Sequence, residues 1–92
     1  MNELIYQGVI AEVSPTEEFT SQNGSIHKER TIVVETEEMY PQRAAIRMID
    51  AVATQDYRPG MRVECHLNFR AQKSKNSDRY FNDLRAWKIA II

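Results

Sequence analysis

The sequence predicts an all-β fold: a five-stranded Greek-key OB-fold barrel with one short helix between strands 3 and 4. Three observations predict it. Five runs with strand character follow one another in 92 residues, the single helical stretch falls after the third run, and the last two runs are joined by a polar basic loop. An SH3-like barrel does not normally place its helix there, and a sandwich needs more strands. A chain of this length supplies one core and no second lobe, so residues 1–92 are read as a single OB-fold domain whose function sits on a surface or groove.

The first strand runs from Leu4 to Val13, with Val9, Ala11 and Val13 on one face and Leu4, Tyr6 and Ile10 on the other. Gly8 lies in its middle, where a missing side chain marks a bulge or a sharp coil that lets one strand serve both ends of a barrel. From Ser14 to His27 the chain is polar and carries Pro15 and the turn dipeptide Asn23-Gly24, which predicts a long loop or extended hairpin tip. The second strand, Lys28 to Thr36, turns Ile32 and Val34 inward. Pro41 holds Tyr40 extended, and the third strand, Gln42 to Ile49, places Ala44, Ile46 and Met48 inside and Arg43, Ala45 and Arg47 outside. Asp50 to Tyr57 is the expected helix, with Asp50 as N-cap and Arg58-Pro59-Gly60 as its end. The fourth strand, Met61 to Arg70, alternates Val63, Cys65, Leu67 and Phe69 with polar residues, a period of two that buries one face. On the fifth, Leu84 and Ala86 share the core parity, which turns Phe81, Asp83, Arg85 and Trp87 outward.

Composition bounds the rest. With 42% hydrophobic and 27% charged residues the chain reads as an ordinary soluble globular domain. The opening Met1-Asn2-Glu3 lacks a basic start, and no stretch approaches the ~20 apolar residues of a membrane helix. A cytoplasmic location without membrane attachment is the expectation. The lone Cys65 forms no intramolecular disulfide and reads as a small core residue. Net charge is −1, but it divides unevenly: 8 acids face 2 bases from Met1 to Tyr40, and 10 bases face 5 acids from Pro41 to Ile92. The asymmetry predicts one electropositive side, while the overall acidity argues against strong non-specific DNA binding.

Catalysis finds little support. The cluster Glu35, Glu37 and Glu38 reads as a solvated patch, and His27 and His66 lie on different elements without ligand spacing. With only Gly8, Gly24 and Gly60, the chain has no glycine-rich phosphate loop. No catalytic residue, metal, cofactor or small-molecule substrate is expected. Binding residues are a different matter. Arg43 and Arg47 share an outward parity on the third strand, and Arg70, Lys73, Lys75 and Arg79 surround the loop before the fifth strand. On the return come Tyr80, Phe81, Arg85 and Trp87. Cations that track phosphates, interleaved with aromatics on which bases stack, are what single-stranded nucleic acid requires. Each has a second reading. Arg43 and Arg47 can pair with Glu29, Glu35 or Glu64, the basic loop can be a solvated turn, Tyr80 and Phe81 can cap the barrel end, and Trp87 with Arg85 can form a subunit contact. The apolar tail Ile89-Ala90-Ile91-Ile92 and the apolar first strand predict a homo-oligomer.

A resemblance adds to this reading. Glu35-Thr36-Glu37-Glu38, Tyr40-Pro41, Pro59-Gly60 with Val63, Arg79-Tyr80-Phe81, and Asp83-Leu84-Arg85-Ala86-Trp87-Lys88 resemble the bacterial domain of unknown function 3127 over nearly the whole chain. Where that family commonly has an aromatic residue and glycine after the third strand, this chain has Met48-Ile49-Asp50-Ala51. The resemblance implies an OB-fold similar to that of bacterial single-stranded DNA-binding proteins. Two functions therefore compete: a weak, non-sequence-specific module for single-stranded nucleic acid, possible ligand single-stranded DNA, and a protein-interaction or self-assembly domain with no nucleic-acid ligand.

Overall fold

A computed structural model describes residues 4–92, apart from the side chains of Arg70 and Gln72. Six strands form one sheet: β1 (Leu4–Val13), β2 (Glu17–Thr20), β3 (Ile26–Glu35), β4 (Arg43–Ile49), β5 (Arg62–Lys73) and β6 (Tyr80–Ile91). Their order is β1-β5-β6-β4-β3-β2, and a further pairing of β1 with β3 closes five of them into a barrel. Only β4 and β6 run parallel; every other pair is antiparallel.

Closure depends on β1 changing partners midway. Leu4 to Val9 pair with β5, and Val9 to Val13 pair with β3. At the change, a Cβ on Gly8 would stand 2.3 Å from the Glu35 carbonyl oxygen, so only glycine lets the two backbones approach. The register break itself falls later, between Ile10 and Glu12. This extra residue corrects the expected facing of β1: Ile10 is buried and Val13 packs beside it on the core, whereas Val9 and Ala11 are half-buried.

The core contains Ile10, Ile32, Val34, Ile46, Met48, Val63, Cys65, Leu67, Ala86 and Ile89. Alternation on the third and fourth predicted strands is thereby confirmed, except at Phe69. That residue was expected inward but is 52% exposed: among the described residues β1 pairs with β5 as far as Leu67, and β5 continues past the barrel. On β6 a second bulge, at Trp87, pairs Leu67 with Ala86 and His66 with Lys88. Ala86 and Ile89 thus both face inward, three positions apart, and Trp87 is turned out.

Of two expectations about local structure, the extended hairpin tip is found and the helix is corrected. The segment from Ser14 to His27 holds β2, which pairs with the first half of β3, around a turn in which Gly24 has φ 85°. The helix expected over Asp50 to Tyr57 is a run of turns. Asp50 adopts φ 59°, outside helical space, and its carboxylate accepts from the Lys28 N–H (3.3 Å) instead of capping a helix. One helix-like bond, Thr54 N–H to Asp50 carbonyl at 3.2 Å, forms and is not continued. The turns still serve the barrel, since Ala53 and Tyr57 plug its end as core residues and the Tyr57 hydroxyl donates to the Val52 carbonyl at 2.7 Å.

Candidate nucleic-acid interface

On β3, β4 and β6 the inward parity of Ile32, Val34, Ile46, Met48 and Ala86 leaves Glu29, Glu35, Arg43, Arg47, Asp83 and Arg85 on the outer face. Arg47 is central there. It lies opposite Thr31 on β3 and Arg85 on β6, and the residues two places along each neighbour are Glu29 and Asp83. Diagonal neighbours are within reach of a long side chain. The Arg47 guanidinium bridges both, Nη1 to Glu29 Oε1 at 3.2 Å and Nη2 to Asp83 Oδ2 at 2.9 Å, while its Nε is buried without a hydrogen-bond partner. Arg85 Nη2 stands 3.9 Å from the same Asp83 oxygen, and Arg43 pairs with Glu35 at 3.5 Å. Pairing with Glu29 and Glu35 is therefore what the structure shows for the two third-strand arginines. Glu64 instead approaches His66, at 3.8 Å.

Trp87 is 49% exposed, its ring edge-on to His66 with centroids 5.3 Å apart. His66 is in turn the register partner of the exposed Ile5 on β1. Near the end of the barrel, Asn68, Phe69, Asp83 and Arg85 line a shallow depression.

Beyond Leu67 and Leu84 the strands β5 and β6 leave the barrel as a two-stranded arm, closed by the Ser74 N–H to Arg79 carbonyl bond at 2.9 Å. Lys73 pairs loosely with Asp78, at 3.6 Å, and exposed Lys75 and Arg79 make no ion pair among the described residues. The aromatics of the return strand are out in solvent, Tyr80 at 67% and Phe81 at 53% exposure, so they do not cap the barrel. Arg70 lies on β5 within the arm, and its side chain is outside the described residues.

The sequence places Phe69 inward and Asp83 outward but does not count either among the binding residues. Asp83 was detectable, because its spacing from Arg85 places it on the same face; Phe69 was concealed by an alternation that continues past the point where the barrel ends. A third feature lies at the other hairpin. His27 Nδ1 contacts Asp50 Oδ2 at 2.9 Å while Phe19 stacks on the imidazole at 5.3 Å. The hydrogen bond from His27, helped by the Lys28 N–H, holds the Asp50 carboxyl below its ordinary range. Among the described residues no group of three His, Cys, Asp or Glu side chains is arranged to hold a metal ion.

The fold is shared with solved structures of little sequence similarity. The second OB-fold domain of replication protein A from Methanococcus maripaludis superimposes with a TM-score of 0.70 at 12% identity, over 96% of this chain and 81% of that one. Single-stranded DNA binding protein from Thermus aquaticus gives 0.67 at 11% identity, over the whole of this chain, which spans 50% of the Thermus protein's length. No curated protein matches the sequence. The sequence model of a family described as a domain of unknown function, DUF3127, matches residues 6–90.

Proposed function

We propose, from the premise that the chain belongs to the DUF3127 family, that this OB-fold domain is a non-catalytic module that holds single-stranded nucleic acid weakly and without sequence preference. One observation carries the reading: the β5–β6 arm presents exposed Phe69, Tyr80 and Phe81 among the cations Lys73, Lys75 and Arg79. Aromatic faces accept any base, and cations on a projecting arm track phosphates without reading sequence. The shared fold of the single-stranded DNA binding protein from Thermus aquaticus supports a ligand of that class. The outer face of β4 contributes less to affinity than its arginines suggest. Arg43 and Arg47 are engaged by carboxylates, and a phosphate would have to displace them.

Titration with oligo-dT at low salt, followed by the fluorescence of the single tryptophan, Trp87, tests the proposal. Binding should weaken as salt rises, and Tyr80→Ala or Phe81→Ala should each cost about 1–3 kcal/mol, the typical worth of one stacked base. Undetectable binding at low salt, or binding indifferent to salt, removes the proposal.

A second reading, a self-assembly domain, is favoured by the apolar stripe that Ile5 and Trp87 form on either side of His66. Under it, Trp87→Ala lowers the oligomer mass, and oligo-dT does not bind the wild type.

A further inference from the structure

The two hairpins that project from the barrel carry opposite charge. In β2 every side chain is exposed, and Glu17 and Glu18 make no ion pair among the described residues. Glu17 lies directly opposite the β3 residue Glu29, which is itself bridged to Arg47, and Glu18 lies opposite Lys28, so the excess negative charge of this hairpin resides on β2. As the terminal strand of the sheet, β2 has main-chain groups on its outer edge that no other strand satisfies among the described residues. The β5–β6 arm is the complement. Among the described residues, β5 has no outer neighbour past Leu67, β6 meets β4 only at Arg85 and Ala86, and Lys75 and Arg79 make no ion pair. Within one molecule these hairpins do not meet among the described residues, where β2 packs on β3 alone of the strands.

We propose that the outer edge of β2 receives the cationic β5–β6 arm of a second copy. The two segments fit in length: β2 has four residues and the arm offers Arg70 to Lys73, each about 13 Å of extended chain at 3.3 Å per residue. Strand addition supplies the main-chain hydrogen bonds, and the glutamates facing the lysines fix which edge is accepted. The glutamates deter pairing of β2 with another β2, for like charges would then be apposed. Because the donor and acceptor surfaces differ, the contact is head-to-tail, and it closes into a ring or runs on as a filament. The arm is also the grip assigned above to nucleic acid; the competition that follows rests on that reading, whereas the self-contact does not.

A charge swap tests it by sedimentation velocity on the full chain. At roughly 10 mM salt, where charges act over about 30 Å, the wild type should exceed monomer mass, and it should return to monomer as salt is raised. The pair Glu17→Lys and Glu18→Lys makes both hairpins cationic; Lys73→Glu with Lys75→Glu makes the arm anionic. Each double variant alone should sediment as a monomer, and an equimolar mixture should associate again, which also shows that both are folded. The proposal is overturned by a wild type that is monomeric at low salt, by association that ignores salt or persists in either variant alone, or by a mixture that stays monomeric. Oligo-dT added to the wild type should lower its mass. If it binds without doing so, the competition is wrong; if it does not bind while the charge swap succeeds, the nucleic-acid reading fails and the self-contact stands.

Discussion

Single residues set the tolerances of this barrel. Gly8 is held to glycine by proximity and not by its dihedrals, so Gly8→Ala must push the Glu35 carbonyl away. The expected loss is about 1–3 kcal/mol, as for other overpacked sites, read as a lower urea midpoint with an unchanged slope. Burial pushes the Cys65 thiol up to about 11 and the Tyr57 hydroxyl up to about 12, from ordinary values of 9.0 and 10.0. Both groups stay neutral in the fold and ionise more readily once unfolded. Their contribution is therefore complete below pH 9 and is lost as the pH rises toward 11 and 12. Urea midpoints should be flat in this respect up to pH 9 and fall beyond it, and a Cys65→Ala variant should show a shallower fall. Asp50 works in the opposite direction: its depressed carboxyl favours the fold above the ordinary 3.8, and that contribution disappears as the pH drops through the folded value. At Arg47, one guanidinium answers two carboxylates and still leaves Nε buried without a partner, a costly arrangement for stability alone.

Among the elements, the strands were readable from alternation because each buries one face against a single core, and Ile32, Val34, Ile46, Met48, Val63, Cys65 and Leu67 repeat at a period of two. Each departure has a local physical cause. A bulge flips parity without changing composition, so the extra residue before Glu12 and the inward turn of Ile89 past Trp87 left no trace in the alternation, which did place Trp87 itself outward. The eight residues from Asp50 carry a cap residue and a terminating Pro-Gly, yet the pairing of Asp50 with His27 and Lys28 on β3 outweighs helix formation, and that contact is invisible in sequence. The arm was readable as charge and aromatic content but not as a projection. It should also be dispensable to the fold, because no described side chain from 70 to 83 belongs to the core. Replacing residues 71–82 with Asn-Gly joins the register pair Arg70 and Asp83 by a tight hairpin turn and spares the Asp83 contact with Arg47. The shortened chain should unfold at nearly the wild-type urea midpoint and lose oligo-dT binding; retained binding would relocate the grip to the barrel face.

For the whole molecule, the uneven charge of the sequence has become two hairpins of opposite sign and an outer face where acids and bases neutralise one another. The sequence contained the imbalance, but strand interleaving decided its placement. If only Lys73, Lys75 and Arg79 meet phosphates, log affinity for oligo-dT should fall with log salt at a slope of about −2, at 0.7 per contact on a single strand. A slope beyond about −4 would mean that Arg43, Arg47 and Arg85 abandon their carboxylates and join the contact. Closure has a separate consequence in time. The middle of β3, around Ile32 and Val34, is bonded to β1 on one side and β4 on the other, so its amide protons meet solvent only when the barrel opens as a whole. The hairpins have no such shelter. Deuterium should enter β2 and the β5–β6 arm early and β3 only at the pace of global unfolding, so that within one small chain the surfaces proposed to meet partners are renewed many times during the life of a single closed barrel.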